Sequence, residues 1–207
     1  MAPVDPRLRS ALREQLRTRE ALLARGAVSV GWKVGAGRRE RIGGMVLGHL
    51  TSATRLLPGD HYRPRDGEAT HADAEVAVSI GPGGTIDGYG AALELCDLSW
   101  PDDPEEIVAH NVWHRAFALG PLLPAQGATT GRLMIDNEPA AEAAVPGDLL
   151  ARVERIAELL DAMGERLLPG EVVITGSVVQ VPVSPGDEIR ADFPGLGQAH
   201  LHIDDTR

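Results

Sequence analysis

Three carboxylates fall on two short apolar stretches: Asp73 and Glu75 in HADAEVAVSI (residues 71 to 80), and Glu94 in ALELCD (residues 92 to 97). Side chains alternate across a strand, so Asp73 and Glu75 project from one face while Ala74, Val76 and Val78 take the other. In the second stretch Ala92, Glu94 and Cys96 share a face, with Leu93 and Leu95 opposite. The Gly-rich link GPGGTIDGYG (81 to 90) lets the two strands pair, which delivers a third oxygen to the first two. Like charges this close raise one another's pKa, so the cluster needs shared protons or a hard cation. With only oxygen donors, Mg²⁺, Mn²⁺ or Ca²⁺ fits better than zinc. The alternative is that all three are solvent-facing strand residues.

Other residues could serve such a centre. GWKVG (31 to 35) sets Lys33 on a strand between glycines, with Trp32 and Val34 on the opposite face. It could hold a substrate carboxylate, polarise a carbonyl, or act as a base if desolvation lowers its pKa; otherwise it is an edge-strand lysine facing water. VITGSVVQ (173 to 180) breaks a β-branched run at Thr175, Gly176 and Ser177, where a glycine lets backbone N–H groups approach an anion; as a bland alternative it is a bend in a strand. HNVWH (110 to 114) spaces two histidines one helical turn apart, but Asn111 stands where a zinc protease needs its glutamate. His200 and His202 share a strand face without an evident third ligand, and both histidine pairs read as structural or peripheral. Ser177 lacks the GxSxG context of a nucleophile, and Cys96, flanked by Leu95 and Asp97, reads as a buried thiol. GAGRRERIGG (35 to 44) lacks the dinucleotide-binding glycine spacing.

These residues must be positioned mainly by strands. Residues 6 to 25 form an amphipathic helix with Leu8, Leu12, Leu16 and Leu23 on its stripe, Asp5 as cap and Gly26 as stop. Strands follow at 28 to 35, 43 to 50, 74 to 80 and 92 to 98. A second helix starts near Pro104, among Asp102, Asp103, Glu105 and Glu106, and runs to about Leu119; a third runs from about Pro146 to Leu168. The chain closes in strands at 171 to 183, 187 to 195 and 198 to 203. The 207 residues suit one domain, read as an N-terminal helical segment (1 to 27) followed by a catalytic unit (28 to 207). A net charge of −10 with no basic block argues against nucleic acid or an anionic membrane as partner and favours a small substrate. A single cysteine rules out an internal disulfide framework and fits a reducing cytoplasm, and no stretch approaches the roughly 20 apolar residues of a membrane span.

In chain order GWKVG, DAEVAV, ALELCD, HNVWHRAFALG, EVVITGS and PVSPGDEIRADFPGLG resemble the 2-keto-4-pentenoate hydratase and 4-oxalocrotonate decarboxylase family, of the fumarylacetoacetate-hydrolase fold, from about Val28 to Ile203. The resemblance implies an α+β protein with a mixed β-roll or barrel core and flanking helices, and a divalent ion, Mg²⁺ or Mn²⁺, on Asp73, Glu75 and Glu94. It makes Lys33 the active-site lysine, aligns Thr175, Gly176 and Ser177 with the segment contacting the substrate carboxylate, and puts Asn111 in a helix bordering the pocket. It also implies a homo-oligomer acting on a small keto acid. Asp73 is shorter than the glutamate common at its position, and three further departures stand out: Ser52 stands where relatives often carry an acid, the link between the metal strands is short, and the N-terminal region before GWKVG is abbreviated. The implied activity is a metal-dependent lyase on a 2-keto or 2-hydroxydienoic acid, with hydration first, decarboxylation or C–C hydrolysis as alternatives, and a non-catalytic keto-acid binder or assembly subunit as a different class.

Overall fold

In this computed structural model, residues 6–36, 45–99, 103–124 and 127–206 are described. Asp5, Asp102 and most of the stretch 35–44 lie outside them. The elements are α1 (Pro6–Ala24), β1 (Ser29–Ala36), β2 (Met45–Thr51), β3 (Arg55–Leu56), β4 (His61–Tyr62), β5 (Thr70–Ile80), β6 (Ile86–Asp97), α2 (Pro104–Ala109), β7 (His114–Leu119), β8 (Thr130–Ile135), β9 (Glu138–Ala144), α3 (Leu149–Met163), β10 (Val172–Ile174), β11 (Val179–Pro182), β12 (Glu188–Phe193) and β13 (Gly197–Ile203).

Two mixed sheets carry the fold. The first runs β2-β1-β10-β5-β6-β7-β3, with β11 pairing along β5; the second runs β4-β13-β12-β8-β9. The first sheet's edge strands, β2 and β3, are joined by residues 52–54 alone. Seven strands laid flat would part those edges by roughly 29 Å. The connection from Thr51 to Arg55 reaches at most about 14 Å. The sheet therefore curls into a nearly closed roll, the mixed β-roll core with flanking helices expected from the resemblance.

Strand alternation assigns the two faces of the roll. Outward, Trp32, Val34, Ala74, Val76, Val78, Leu93 and Leu95 pack against Leu133, Ile189, Phe193 and Leu201 of the second sheet and against Leu12, Leu16, Val153 and Ile156 of α1 and α3. Inward, Leu50, Ala77, Ala92, Phe117, Leu119, Val172 and Ile174 fill one end of the roll. The acidic residues occupy the other end. α1 is tied to this frame by buried Gln15, whose Nε2 donates to the carbonyls of Leu47 and Val108.

Two helix expectations are corrected. The second helix does not reach Leu119: Asp103 caps α2 through the amides of Glu105 and Glu106, and the helix stops at Ala109. Asn111, Val112 and Trp113 then adopt positive φ of 63°, 54° and 60°, and residues 114–119 form β7. Residues 116 to 119 are buried on both faces of that strand, and such a run carries no alternation to separate it from a helix. HNVWH is therefore a left-handed turn entering a strand. α3 ends at Met163, because Gly164 takes the left-handed C-cap at φ 82°. The hairpin β8–β9 was not expected. Its strand EPAAEAA has a helix-like composition, although Asp136 and Asn137, both left-handed, make the tight turn that favours hairpins.

Candidate metal centre

Asp73 and Glu94 lie directly opposite each other on β5 and β6, and Glu75, two residues along, faces Ala92. The small Ala92 leaves room for the Glu75 side chain. Asp73, Glu75 and Glu94 are only 4%, 1% and 1% exposed, so the solvent-facing alternative is excluded. Burial, reinforced by the Glu94 charge, pushes Asp73 up to about 6 and Glu75 well above the ordinary carboxylate value.

Lys33, on β1, points into the same end of the roll. Its Nζ donates to Glu94 Oε1 and, at 3.0 Å, to the Val112 carbonyl. Burial alone would lower the amine's pKa, but facing negative charge outweighs it and the net direction is upward. Glu94 supplies that attraction, because burial pushes the Cys96 thiol itself far up and keeps it neutral. Lys33 is thus a fixed ammonium, and of the three roles open to it the base is the one this environment disfavours. Burial likewise acts to raise Glu94, but Lys33 and His114 hold it down at about 2.

His114 was missed as a site residue. A β-bulge between Leu95 and Cys96 shifts the register of β7 so that His114 faces Cys96 and looks inward. Its Nδ1 lies 2.7 Å from Glu94 Oε1 and its Nε2 2.9 Å from the Thr54 hydroxyl. Burial lowers its pKa despite Glu94. A carboxylate can only accept, so the neutral ring donates from Nδ1 and receives the Thr54 hydroxyl at Nε2.

The Thr175–Ser177 segment braces the carboxylates. Gly176 N–H donates to Glu75 Oε2 at 2.6 Å, and Ser177 Oγ donates to Asp73 Oδ1 at 3.1 Å. Gln180 adds a side-chain hydrogen bond to Asp73. Thr175 Oγ1 is taken up by the Val76 carbonyl, while Arg152 of α3 holds the Thr175 carbonyl at 2.8 Å. Thr175 and Gly176 thus have their donors engaged within the protein, whereas Ser177 is exposed.

Asn111 is not on a helix, and its carboxamide is occupied. It accepts from His49 N at 2.7 Å and donates to His49 O at 3.0 Å, closing the free edge of β2 as a strand would. The turn that follows aims the Val112 carbonyl at Lys33. Left-handed φ at a β-branched residue is costly, and Val112 is held there by burial against Gly35, where a Cβ would stand 2.4 Å from its Cγ1. Ser52 is exposed, its hydroxyl accepting the Val28 amide at 2.9 Å. Facing Lys33 from β2 are instead Gly48, opposite it in register, with Val46 and Leu50 on the same face.

The arrangement fits a divalent cation. Glu94 Oε2 is buried without a hydrogen-bond partner. Ligand atoms of Asp73, Glu94 and Cys96 all lie within 4.8 Å of one another, and these three form the metal-competent group found among the described residues. Glu75 lies on the same face, with an oxygen on Gly176.

No family model matches the chain. Among curated proteins it is 32% identical over 149 residues to the 4-oxalocrotonate decarboxylase of Pseudomonas putida, a stretch covering 60% of this chain and 56% of that protein. The chain thus spans little more than half the length of the curated relative it matches. Its fold matches 4-oxalocrotonate decarboxylase from Pseudomonas putida G7 with a TM-score of 0.82, in a complex with magnesium and adipate (24% identity, 95% of this chain and 86% of that one) and in a complex with calcium and acetate (25% identity, 95% and 85%). Fumarylpyruvate hydrolase from Pseudomonas aeruginosa, in complex with Mn²⁺ and pyruvate, matches at 0.66 with 20% identity over 86% of this chain and 90% of that one. With the roll and the facing acidic strands, these matches give the chain the fumarylacetoacetate-hydrolase fold, in the form seen in 4-oxalocrotonate decarboxylase.

Proposed function

We propose that this protein is a divalent-metal-dependent lyase that decarboxylates a small unsaturated keto diacid of the 4-oxalocrotonate type. Hydration of a 2-hydroxydienoic acid, the first expectation from the sequence, becomes the second reading. The observation that carries the proposal is the buried Asp73–Glu94 pair with Lys33 locked as a cation against it, inside a roll matching 4-oxalocrotonate decarboxylase at 0.82. Asp73, Glu75 and Glu94 would hold Mg²⁺ or Mn²⁺, which when bound supplies a Lewis acid for an α-keto carboxylate.

In a substrate whose distal carboxyl is vinylogous to the ketone, loss of CO₂ sends the C–C bond electrons through the double bond to the C2 oxygen. The transition state needs positive charge beside that oxygen, and a pre-oriented ammonium provides it without reorganisation. Lys33 is held for this by Glu94 and by the Val112 carbonyl. The proton that completes the dienol is taken from solvent, because an ammonium held this firmly is a poor acid. Hydration needs, in addition, a group that activates water near the distal carbon. The inward residues of β2 are Val46, Gly48 and Leu50, and His114 is engaged by Glu94 and Thr54, which favours decarboxylation. The reading includes a homo-oligomer in the cytoplasm; among the described residues no helix is long and apolar enough to cross a membrane.

The test is a pair of assays with Mg²⁺: CO₂ release from 4-oxalocrotonate, and water addition to 2-hydroxypenta-2,4-dienoate. CO₂ release supports the proposal, and water addition alone favours hydration. Keto-acid binding by calorimetry without turnover of either compound would point to a non-catalytic binder. Sedimentation reports the assembly.

A further inference from the structure

We infer that Cys96 makes this centre a site for thiophilic divalent ions, of the class of Zn²⁺, Cd²⁺ and Co²⁺, with its thiolate joining the Asp73 and Glu94 carboxylates; the inference rests on the metal-centre reading above. The geometry is already built. Cys96 Sγ stands 3.5 Å from Asp73 Oδ2. Two ligands of a tetrahedral ion, at about 2.3 Å for sulfur and about 2.1 Å for oxygen, stand about 3.6 Å apart. The third ligand is Glu94, whose Oε1 is engaged by Lys33 and His114, leaving the buried, unpartnered Oε2.

The surroundings of Cys96 also argue against a mere space-filling role. A structural cysteine packs as a small hydrophobe. Cys96 Sγ instead meets a carboxylate and, at 4.0 Å, the Lys33 ammonium. Asp73 is the shorter of the two strand-β5 acids and stands across from Glu94, two register positions from the His71–Cys96 pair and on the same face. A short arm there keeps an ion close to the strand backbones, on the side where Cys96 projects. On ligation the metal–sulfur bond forms and the thiol proton leaves to solvent, so no oxidant or reductant is required.

Ligand softness then sets the selectivity. Mg²⁺ takes oxygens and is indifferent to the thiol, whereas thiophilic ions gain a third strong ligand and compete with it. The purified full-length protein, stripped of metal, should develop the ultraviolet thiolate-to-cadmium charge-transfer band on titration with Cd²⁺. Proton release measured in a weakly buffered solution should accompany it. Cys96→Ser should abolish the band and weaken Cd²⁺ binding by roughly tenfold or more, with Mg²⁺ binding by calorimetry left nearly unchanged. Cd²⁺ binding without the band, which needs no variant to observe, overturns the inference while leaving the metal centre intact. If neither Mg²⁺, Mn²⁺ nor Cd²⁺ binds the wild type, the metal-centre reading itself fails.

Discussion

Replacing Lys33 with Met should leave a folded but metal-dependent protein. The Lys33 and Glu94 side chains are 4% and 1% exposed, so the substitution removes the cation from a buried pair while keeping the side-chain volume. Breaking such a pair by deleting one partner costs about 3 to 5 kcal/mol. For a chain of this size each kcal/mol lowers Tm by roughly 2 to 4 °C, so the metal-free variant should melt roughly 6 to 20 °C below wild type. The pH dependence has a definite sign. In wild type Glu94 is depressed to about 2, so its contribution is present above its ordinary 4.5 and is lost as pH falls through about 2. Without Lys33, burial dominates and raises Glu94 above its ordinary value. The penalty is then absent below about 4.5 and grows as pH rises. Calorimetric melts near pH 4.5 and near pH 7.5, each with and without Mg²⁺, test this. An ion at a hundred times its Kd adds about 2.7 kcal/mol. The variant, having lost the competing ammonium, should gain more from Mg²⁺ than wild type does. A metal-free variant melting within about 2 °C of wild type near neutral pH would refute the coupling of Lys33 to Glu94.

Further outcomes follow from the same geometry. Glu75→Gln keeps an acceptor for the Gly176 amide and should fold as wild type with metal-dependent turnover reduced at least about a hundredfold, whereas Glu75→Ala also strands that amide at a cost of about 1 to 3 kcal/mol; turnover and thermal melts separate the two. Asp73, raised to about 6 from 3.8, contributes stability that is full below 3.8 and lost as pH rises through about 6, worth about 3 kcal/mol. Metal-free protein should therefore weaken between about pH 4 and 7, and Mg²⁺ affinity by calorimetry should fall about tenfold per unit below pH 6, because the ion must displace that proton. In Gly48→Ala the new Cβ would stand 2.6 Å from Lys33 Cγ and 2.9 Å from Asn111 Oδ1. A folded variant with reduced kcat and little change in Mg²⁺ affinity is the expected result, and unchanged kcat would show that Lys33's placement is not critical.

What could be read in the chain follows from which signals are local. Period-two alternation put Asp73 and Glu75 on one face and Glu94 on its neighbour, and the short link predicted that the strands pair, but the register that sets Asp73 opposite Glu94 is seen only in the fold. The left-handed Gly164 cap that ends α3 leaves no trace in periodicity, and Leu167 and Leu168 continue the helical spacing past it. His114 could not be placed, because its inward face depends on a bulge in the β6–β7 pairing. Reading HRAFAL as a strand was the available signal, hidden by burial on both faces. Ser52 followed from the resemblance alone, and in the fold its hydroxyl accepts the Val28 amide in an exposed turn. Cys96 was rightly read as buried, yet nothing in LCD announces an Asp73 carboxylate 3.5 Å away.

The meeting of Lys33 with Glu94 belongs to no segment of the sequence. β10 and β5 separate β1 from β6, and in a flat sheet three strand spacings put their backbones roughly 14 Å apart with side chains standing parallel. Contact between the two tips requires the curl that the short β2–β3 connection enforces. Closure of the roll and compensation of the acidic cluster are therefore one event. An extended or partly opened roll leaves three buried carboxylates repelling one another with their cation withdrawn. Hydrogen exchange should then report it: in Lys33→Met the amides of β1, β2 and β10 should lose protection together, while those of β8, β12 and β13 in the second sheet retain theirs. Loss spread evenly over both sheets would mean that the ion pair stabilises the molecule without holding the roll shut.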